Sequence, residues 1–197
     1  MTTDFIADRL SRIKPSPTMV MTRIADEKKA AGENIIGLAA GEPDFDTPLH
    51  IRKAACDAMD AGKTKYTTVD GVPELKDAVI AKFATDNNIT YERENITIAT
   101  GGKQVLFNAL MATVNAGDEV IIPAPYWVSY PEIVRLAEGV PVILSCAEDD
   151  NFKLTPDVLA AAITPQSKWL ILNSPSNPTG AAYSKDELIA LADIVRA

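Results

Sequence analysis

The hydrophobic positions of the chain change period several times, and each change marks an element. Between residues 6 and 32, Val20 and Ile24 stand four apart, ahead of a charged run over 26–29. That spacing predicts a helix with one exposed face, and Gly32 is placed to end it. Residues 35–38 form a short strand candidate, and a Pro- and Asp-rich loop follows over 41–48. Residues 48–60 read as a helix closed near Gly62. Residues 73–85 read as another, because Leu75, Val79 and Phe83 recur every four positions and make one apolar stripe.

From Ile96 onward short apolar runs alternate with amphipathic stretches. Strands are expected at 96–99, 119–122, 140–144 and 169–172, and helices at 102–115 and 129–137. The run Trp169-Leu170-Ile171-Leu172 is unbroken, as in a strand buried on both faces of a parallel sheet. Thr155-Pro156-Asp157 combines a cap, a first-turn proline and an acid, and predicts a helix start. Ser184-Lys185-Asp186-Glu187 has capping-box spacing and opens a helix with Leu188, Leu191, Ala192 and Val195 on one face. The alternation implies an α/β fold, a mostly parallel sheet sandwiched by helices. Ligands of such sheets bind beyond the carboxyl ends of the strands. Attention therefore falls on the loops after Ala99, Ile122 and Leu172.

Composition narrows the picture. The 197 residues are 47% apolar and 23% charged, which excludes wholesale disorder. The length allows one domain, or one domain plus a piece of another. With 19 Lys+Arg against 27 Asp+Glu the net charge is −8, which argues against nucleic acid as the main partner, because phosphates are neutralised by surplus cations. Cys56 and Cys146 make neither a disulfide framework nor a metal-ligand spacing, and they read as reduced thiols of a cytoplasmic protein. No apolar core of a secretory leader follows Met1, and runs such as 140–144 are too short to span a bilayer. No membrane association is expected.

The three loops carry the candidate chemistry. In Thr100-Gly101-Gly102-Lys103-Gln104, glycines at a helix start let backbone N–H groups approach an anion, and Lys103 adds charge. The loop reads either as a phosphate cradle or as a plain chain reversal. In the second loop, over 123–130, Trp127 either stacks on a planar ring or caps the core. In Asn173-Ser174-Pro175-Ser176-Asn177-Pro178-Thr179-Gly180, prolines stiffen the backbone, one X-Pro bond is a candidate for the cis form, and Asn177 can hold a fixed hydrogen bond to a ligand. Together the loops suit a phosphorylated aromatic heterocycle better than a dinucleotide.

These residues carry a resemblance. Ala40-Gly41-Glu42-Pro43-Asp44-Phe45-Asp46-Thr47-Pro48, Lys65-Tyr66-Thr67 with Gly71, Gly101-Gly102-Lys103-Gln104, Pro125-Tyr126-Trp127-Val128-Ser129-Tyr130-Pro131 and the Asn173–Gly180 stretch resemble, in order, the class I aminotransferases that use pyridoxal 5'-phosphate, close to the bacterial aspartate aminotransferases. The resemblance implies the fold type I architecture of pyridoxal-phosphate-dependent transferases with an incomplete large domain. Residues 1–47 would form an N-terminal arm and the start of a small domain, and 48–197 a truncated cofactor-binding domain. Gly102, Lys103 and Gln104 would hold the cofactor phosphate, Trp127 would stack on the pyridine ring, and Asn177 would bond its ring hydroxyl. Gly41 would lie beside the substrate α-carboxylate, with Trp127 and Asn177 also facing substrate. Tyr66 would reach the cofactor of a second subunit, which implies a homodimer with shared sites. Lys14 resembles a position that contacts a distal carboxylate, or is a solvated surface lysine. Glu42 and Asp44 would be structural, and His50 is given no catalytic role.

No catalytic residue is assigned. In the family the lysine that forms a Schiff base with the cofactor aldehyde lies well beyond the Asn-Pro loop. Lys168 precedes a strand and Lys185 sits in a capping box, so neither matches its context. The chain is therefore expected to be the front portion of a longer enzyme and inactive alone. The expected activity is transfer of the amino group of L-aspartate, or a similar dicarboxylic amino acid, to 2-oxoglutarate. The alternatives are a prephenate or aromatic aminotransferase of the same family, or a non-catalytic module that binds only a phosphate ligand or a partner. A nicotinamide-dependent oxidoreductase lacks its glycine fingerprint.

Overall fold

The computed structural model describes residues 5–38 and 41–197. Ala40 of the first motif and the extreme N-terminal residues read for a leader lie outside them. Among the described residues seven α-helices and three strands follow in chain order: α1 (Pro17–Ala30), α2 (Leu49–Asp60), α3 (Pro73–Asn87), α4 (Gly102–Thr113), β1 (Glu119–Ala124), α5 (Ser129–Leu136), β2 (Val140–Ser145), α6 (Pro156–Ala162), β3 (Ser167–Leu170) and α7 (Lys185–Arg196). By contact the residues divide into two compact units. One runs to Glu27 and resumes over Leu106–Ala197, and the other is Lys28–Val105.

The first unit holds a parallel sheet of order β2-β1-β3. Alternation along β1 sorts its side chains to two faces. Val120 and Ile122 pack with Leu110 of α4 and with Ile133 and Val134 of α5. Ile121 packs on the other face with Leu154, with Leu159 of α6 and with Leu191 of α7. The unit is thus a sheet between two helical layers. The caps lie where the sequence places them: Thr155 Oγ1 accepts from the N–H of Val158 at 3.5 Å, and Ser184 and Glu187 exchange both bonds of a capping box. On α7 the buried line runs through Leu191 with Ile194 packed beside it, whereas Leu188 and Val195 are exposed.

Several expectations are corrected. Residues 35–38 and 96–99 are not strands. A strand exists only through a ladder, and the backbone of 96–99 joins none: the N–H of Ile98 bonds instead to the carbonyl of Asp70 at 2.9 Å. The unbroken 169–172 run does pack on both faces, Trp169 and Ile171 against one cluster and Leu170 and Leu172 against the other, but it is only partly buried. Among the described residues β3 pairs with β1 alone, and Trp169 and Leu170 are half-buried. The stripe on α3 is only partly covered. Leu75 is exposed, and the residue α3 buries is Lys76, whose ammonium is paired with the carboxylate of Asp70. In the second unit, α1 closes as expected at Gly32, whose N–H bonds to Lys29 while that of Glu33 reaches Lys28.

Candidate functional site

The sheet order decides where a ligand can sit. After β1 the chain packs α5 on one face, and after β2 it packs α6 on the other before returning as β3. The connections from β1 and β3 therefore diverge, and a crevice is expected at their carboxyl ends. Proline helps to open it. The β1–β3 ladder runs to Ile121 and Leu170, and the N–H of Ile171 still bonds to Ile121 at 2.9 Å. Alternation turns Pro123 to the same side as Ile121, and proline has no N–H to continue the ladder. A hollow of about 20 Å³ marks the parting, with Pro123, Pro125, Tyr126 and Tyr130 on one wall and Asn173, Ser176 and Asn177 on the other. That space admits about one water molecule, so it is the seam between the two loops and not a ring-sized pocket.

The loop after β3 is tied to itself at nearly every turn. The exposed Asn177 donates its N–H to Oδ1 of Asn173 at 2.7 Å. The N–H of Ser176 reaches the Ala181 carbonyl, and that of Gly180 reaches the Ser176 carbonyl, both at 2.8 Å. Tyr183 fastens the far end: its N–H bonds to Oγ of Ser174 at 3.1 Å, and its phenol oxygen accepts from the N–H of Leu154 at 2.7 Å. Burial pushes the Tyr183 phenol up from its ordinary pKa, against the opposing pull of the Leu154 bond. The Ser174–Pro175 and Asn177–Pro178 peptides are cis, as is Ala124–Pro125.

In the loop after β1, Trp127 is half-buried and meets Tyr130 edge to face, with centroids 5.5 Å apart and planes at 88°. Burial also raises the Tyr130 phenol. Tyr126, beside Trp127, lines a second and larger cavity of about 420 Å³ together with Lys14, Ser16, Ser129, Glu132 and Arg135. The backbone N–H of Lys14 is held by Oε2 of Glu132 at 3.0 Å, and Oε1 of Glu132 pairs with Arg135 at 2.7 Å. Lys14 therefore borders a different hollow from Asn177, and Tyr126 is common to both. Sequence reasoning gave no role to Tyr126, Glu132 or Arg135. The first is signalled only by adjacency to Trp127, and the other two by i,i+3 charge spacing.

Gly41, Tyr66, Gly102, Lys103 and Gln104 belong to the second unit, which is described by itself. Gly101 takes φ +82° to turn the chain into α4, and no heavy atom lies within 4 Å of where a Cβ on Gly102 would stand. Oε1 of Gln104 accepts from the N–H of Thr100 at 2.5 Å, so this side chain braces the loop. Tyr66 is fully exposed. Neither tempting lysine sits at a loop of the site: Lys168 pairs with Asp118 at 2.7 Å, and Lys185 is the exposed first residue of α7. Among the described residues, no group of three or more His, Cys, Asp or Glu is arranged to hold a metal, and no helix is long and apolar enough to cross a membrane.

Residues 33–197 match the family described as aminotransferase class I and II. The chain is 59% identical over 191 residues to an aspartate/prephenate aminotransferase of Cereibacter sphaeroides, covering 97% of this chain and 48% of that one. The corresponding protein of Nitrosomonas europaea is 52% identical, with the same coverage. Among solved structures, an aspartate aminotransferase from Rhizobium meliloti superposes with a TM-score of 0.92 at 50% identity, over 96% of this chain and 48% of that one. The Thermus thermophilus aspartate aminotransferase with maleate gives 0.94 at 44% identity, over 97% and 50%. The chain spans about half the length of the curated relatives it matches. With a match that runs unbroken from residue 33 through the loops of the β1–β3 crevice to the last residue, this chain belongs to the class I and II aminotransferases.

Proposed function

We propose that this chain contributes the cofactor-gripping loops of a pyridoxal-phosphate-dependent enzyme that transfers the amino group of L-aspartate, or a similar dicarboxylic amino acid, to 2-oxoglutarate. The observation that carries the reading is the meeting of the Tyr126-Trp127 loop and the Asn177 loop at the carboxyl ends of β1 and β3. The donor set fits the cofactor. Asn177 offers an amide to a ring hydroxyl, Trp127 offers a flat face, and the open space at Gly102 lets an anion approach the positive end of α4 beside Lys103 and Gln104. When bound, pyridoxal phosphate supplies an electron sink for the carbon that loses its proton. The protein's part at these positions is to bind and orient. Lys14 lines the cavity that also holds the Glu132–Arg135 pair and is the cation proposed for a substrate's second carboxylate, and Gly41 is proposed, on the resemblance, for the first.

In the same reading, residues 1–47 form the arm and the start of a small domain, and 48–197 belong to the large one. Tyr66 serves the site of a second copy in a homodimer, and the enzyme works in the cytoplasm. The relatives named for both aspartate and prephenate favour prephenate as a second amino acceptor.

Titrating the 197-residue polypeptide with pyridoxal phosphate tests the reading. Emission from Trp127, separated from Trp169 by a Trp127→Phe control, should quench to saturation. Asn177→Ala should weaken binding about 5- to 10-fold, the worth of one well-made hydrogen bond. An unquenched Trp127 would remove the ring-stacking role. Turnover of aspartate with 2-oxoglutarate by this polypeptide alone would show that the reactive amine is among its own lysines. In the whole protein, Lys14→Ala should raise KM for dicarboxylates and leave aromatic donors nearly unchanged.

A further inference from the structure

Asn177 is exposed, so no surrounding core fixes where its amide points. Its direction is set by its own backbone and by whatever holds that backbone. Between the two prolines, backbone donors that could do so are few. Pro175 and Pro178 flank the segment and have no N–H to give. Of the N–H groups between them, that of Ser176 is spent on the Ala181 carbonyl, which closes the far side of the loop. The remaining one belongs to Asn177 itself, and it goes to Oδ1 of Asn173 at 2.7 Å.

Asn173 is well placed to act as a fixed post. It is half-buried, and it follows the end of β3 by three positions. Ile171, two residues before it, is hydrogen-bonded to Ile121 of the central strand. The post therefore stands on the sheet, and the residue it holds projects from the loop. We propose that Asn173 is a positioning residue: its side-chain oxygen fixes the backbone of Asn177, and so aims the Asn177 amide at the ring hydroxyl of the bound pyridine. This rests on the reading of Asn177 as the partner of that hydroxyl. Removing the acceptor frees the Asn177 N–H and leaves its peptide held only at the Ser176 carbonyl, by the Gly180 N–H, so Asn177 loosens while the aromatic loop after β1 keeps its own bonds.

The test compares pyridoxal phosphate with its 3-deoxy analogue, which lacks the hydroxyl, by Trp127 quenching. The wild-type polypeptide should prefer the hydroxylated compound about tenfold. Asn173→Ala should lose most of that preference by weakening pyridoxal phosphate alone, and Asn173→Asp, which keeps an acceptor, should restore it. An equal loss for both compounds, or a preference unchanged in Asn173→Ala, would overturn the proposal. If the wild type itself shows no preference, the reading of Asn177 fails first and the positioning role falls with it. Amide hydrogen exchange gives a check that needs no variant to fold. The Asn177 N–H should be protected in the wild type, and exchange at the rate of an open amide would sink the proposal outright.

Discussion

At the end of α5 two adjacent residues have exchanged their usual places. Glu138 takes φ +68°, the left-handed position that normally falls to glycine, while Gly139 follows it and bonds its N–H to the Val134 carbonyl at 3.0 Å. The reason is crowding. A Cβ on Gly139 would stand 2.7 Å from Cγ1 of Val114, 3.1 Å from Cγ1 of Val134 and 3.2 Å from the Asp118 carbonyl oxygen. Glu138 in turn is steadied by Arg12 at 2.9 Å, an exposed pair worth little by itself. Gly139→Ala should therefore destabilise the fold by about 1–3 kcal/mol through overpacking, read as a lower urea midpoint at unchanged slope. A midpoint within error of the wild type would mean that the two valines yield freely. None of this is legible in the sequence, because Val114 lies far from Gly139 along the chain. By contrast the sequence singles out Trp127, Asn177 and the Gly101-Gly102 pair at the start of α4 as candidates, since each stands in a short run of residues whose types suggest a chemistry.

Elements whose signals are local are the ones the sequence announces. The α7 capping box is visible as a spacing of three, and in the structure Ser184 accepts from Glu187 at 3.3 Å while Glu187 accepts in return at 2.7 Å. Glu187 also pairs with Lys153. Ser184→Ala should cost about 1 kcal/mol, read by urea denaturation, and Ser184→Asp should recover most of it. Strands are harder to foresee. Residues 96–99 have the compositional marks of one, yet they join no neighbouring ladder. The α3 stripe misleads for a related reason: which face of a helix is buried depends on what packs there, and here it is Lys76 with Asp70 that is covered. The crevice was foreseeable as a rule of parallel sheets, but its opening at Pro123 required the strand order to be known.

Among the described residues, four carboxyls are held below their ordinary range. The causes are the ammonium of Lys76 at Asp70, the guanidinium of Arg93 at Asp77, and the ammonium groups of Lys168 at Asp118 and Lys153 at Glu187. Each binds its proton less readily folded than unfolded. Their contribution is therefore complete above the ordinary carboxyl range and is lost as pH falls toward the depressed values. Urea midpoints should hold steady from neutrality to about pH 5 and decline below about pH 4. Asp118→Asn should shallow that decline, and an identical acid profile would show that the Lys168 pair adds nothing.

One feature of β1 reaches further than its length suggests. Val120 and Ile122 belong to one hydrophobic cluster and Ile121 to the other, so both helical layers take their bearings from the same three residues. Displacing the strand by a single position would send each aliphatic side chain to the wrong layer, and would swing Pro123 toward β2, where an N–H is needed. A shift of two positions would keep every facing intact. What natural variation can alter in this strand is its extent, then, while its odd-and-even order is closed to drift, and with it the place where the two loops part.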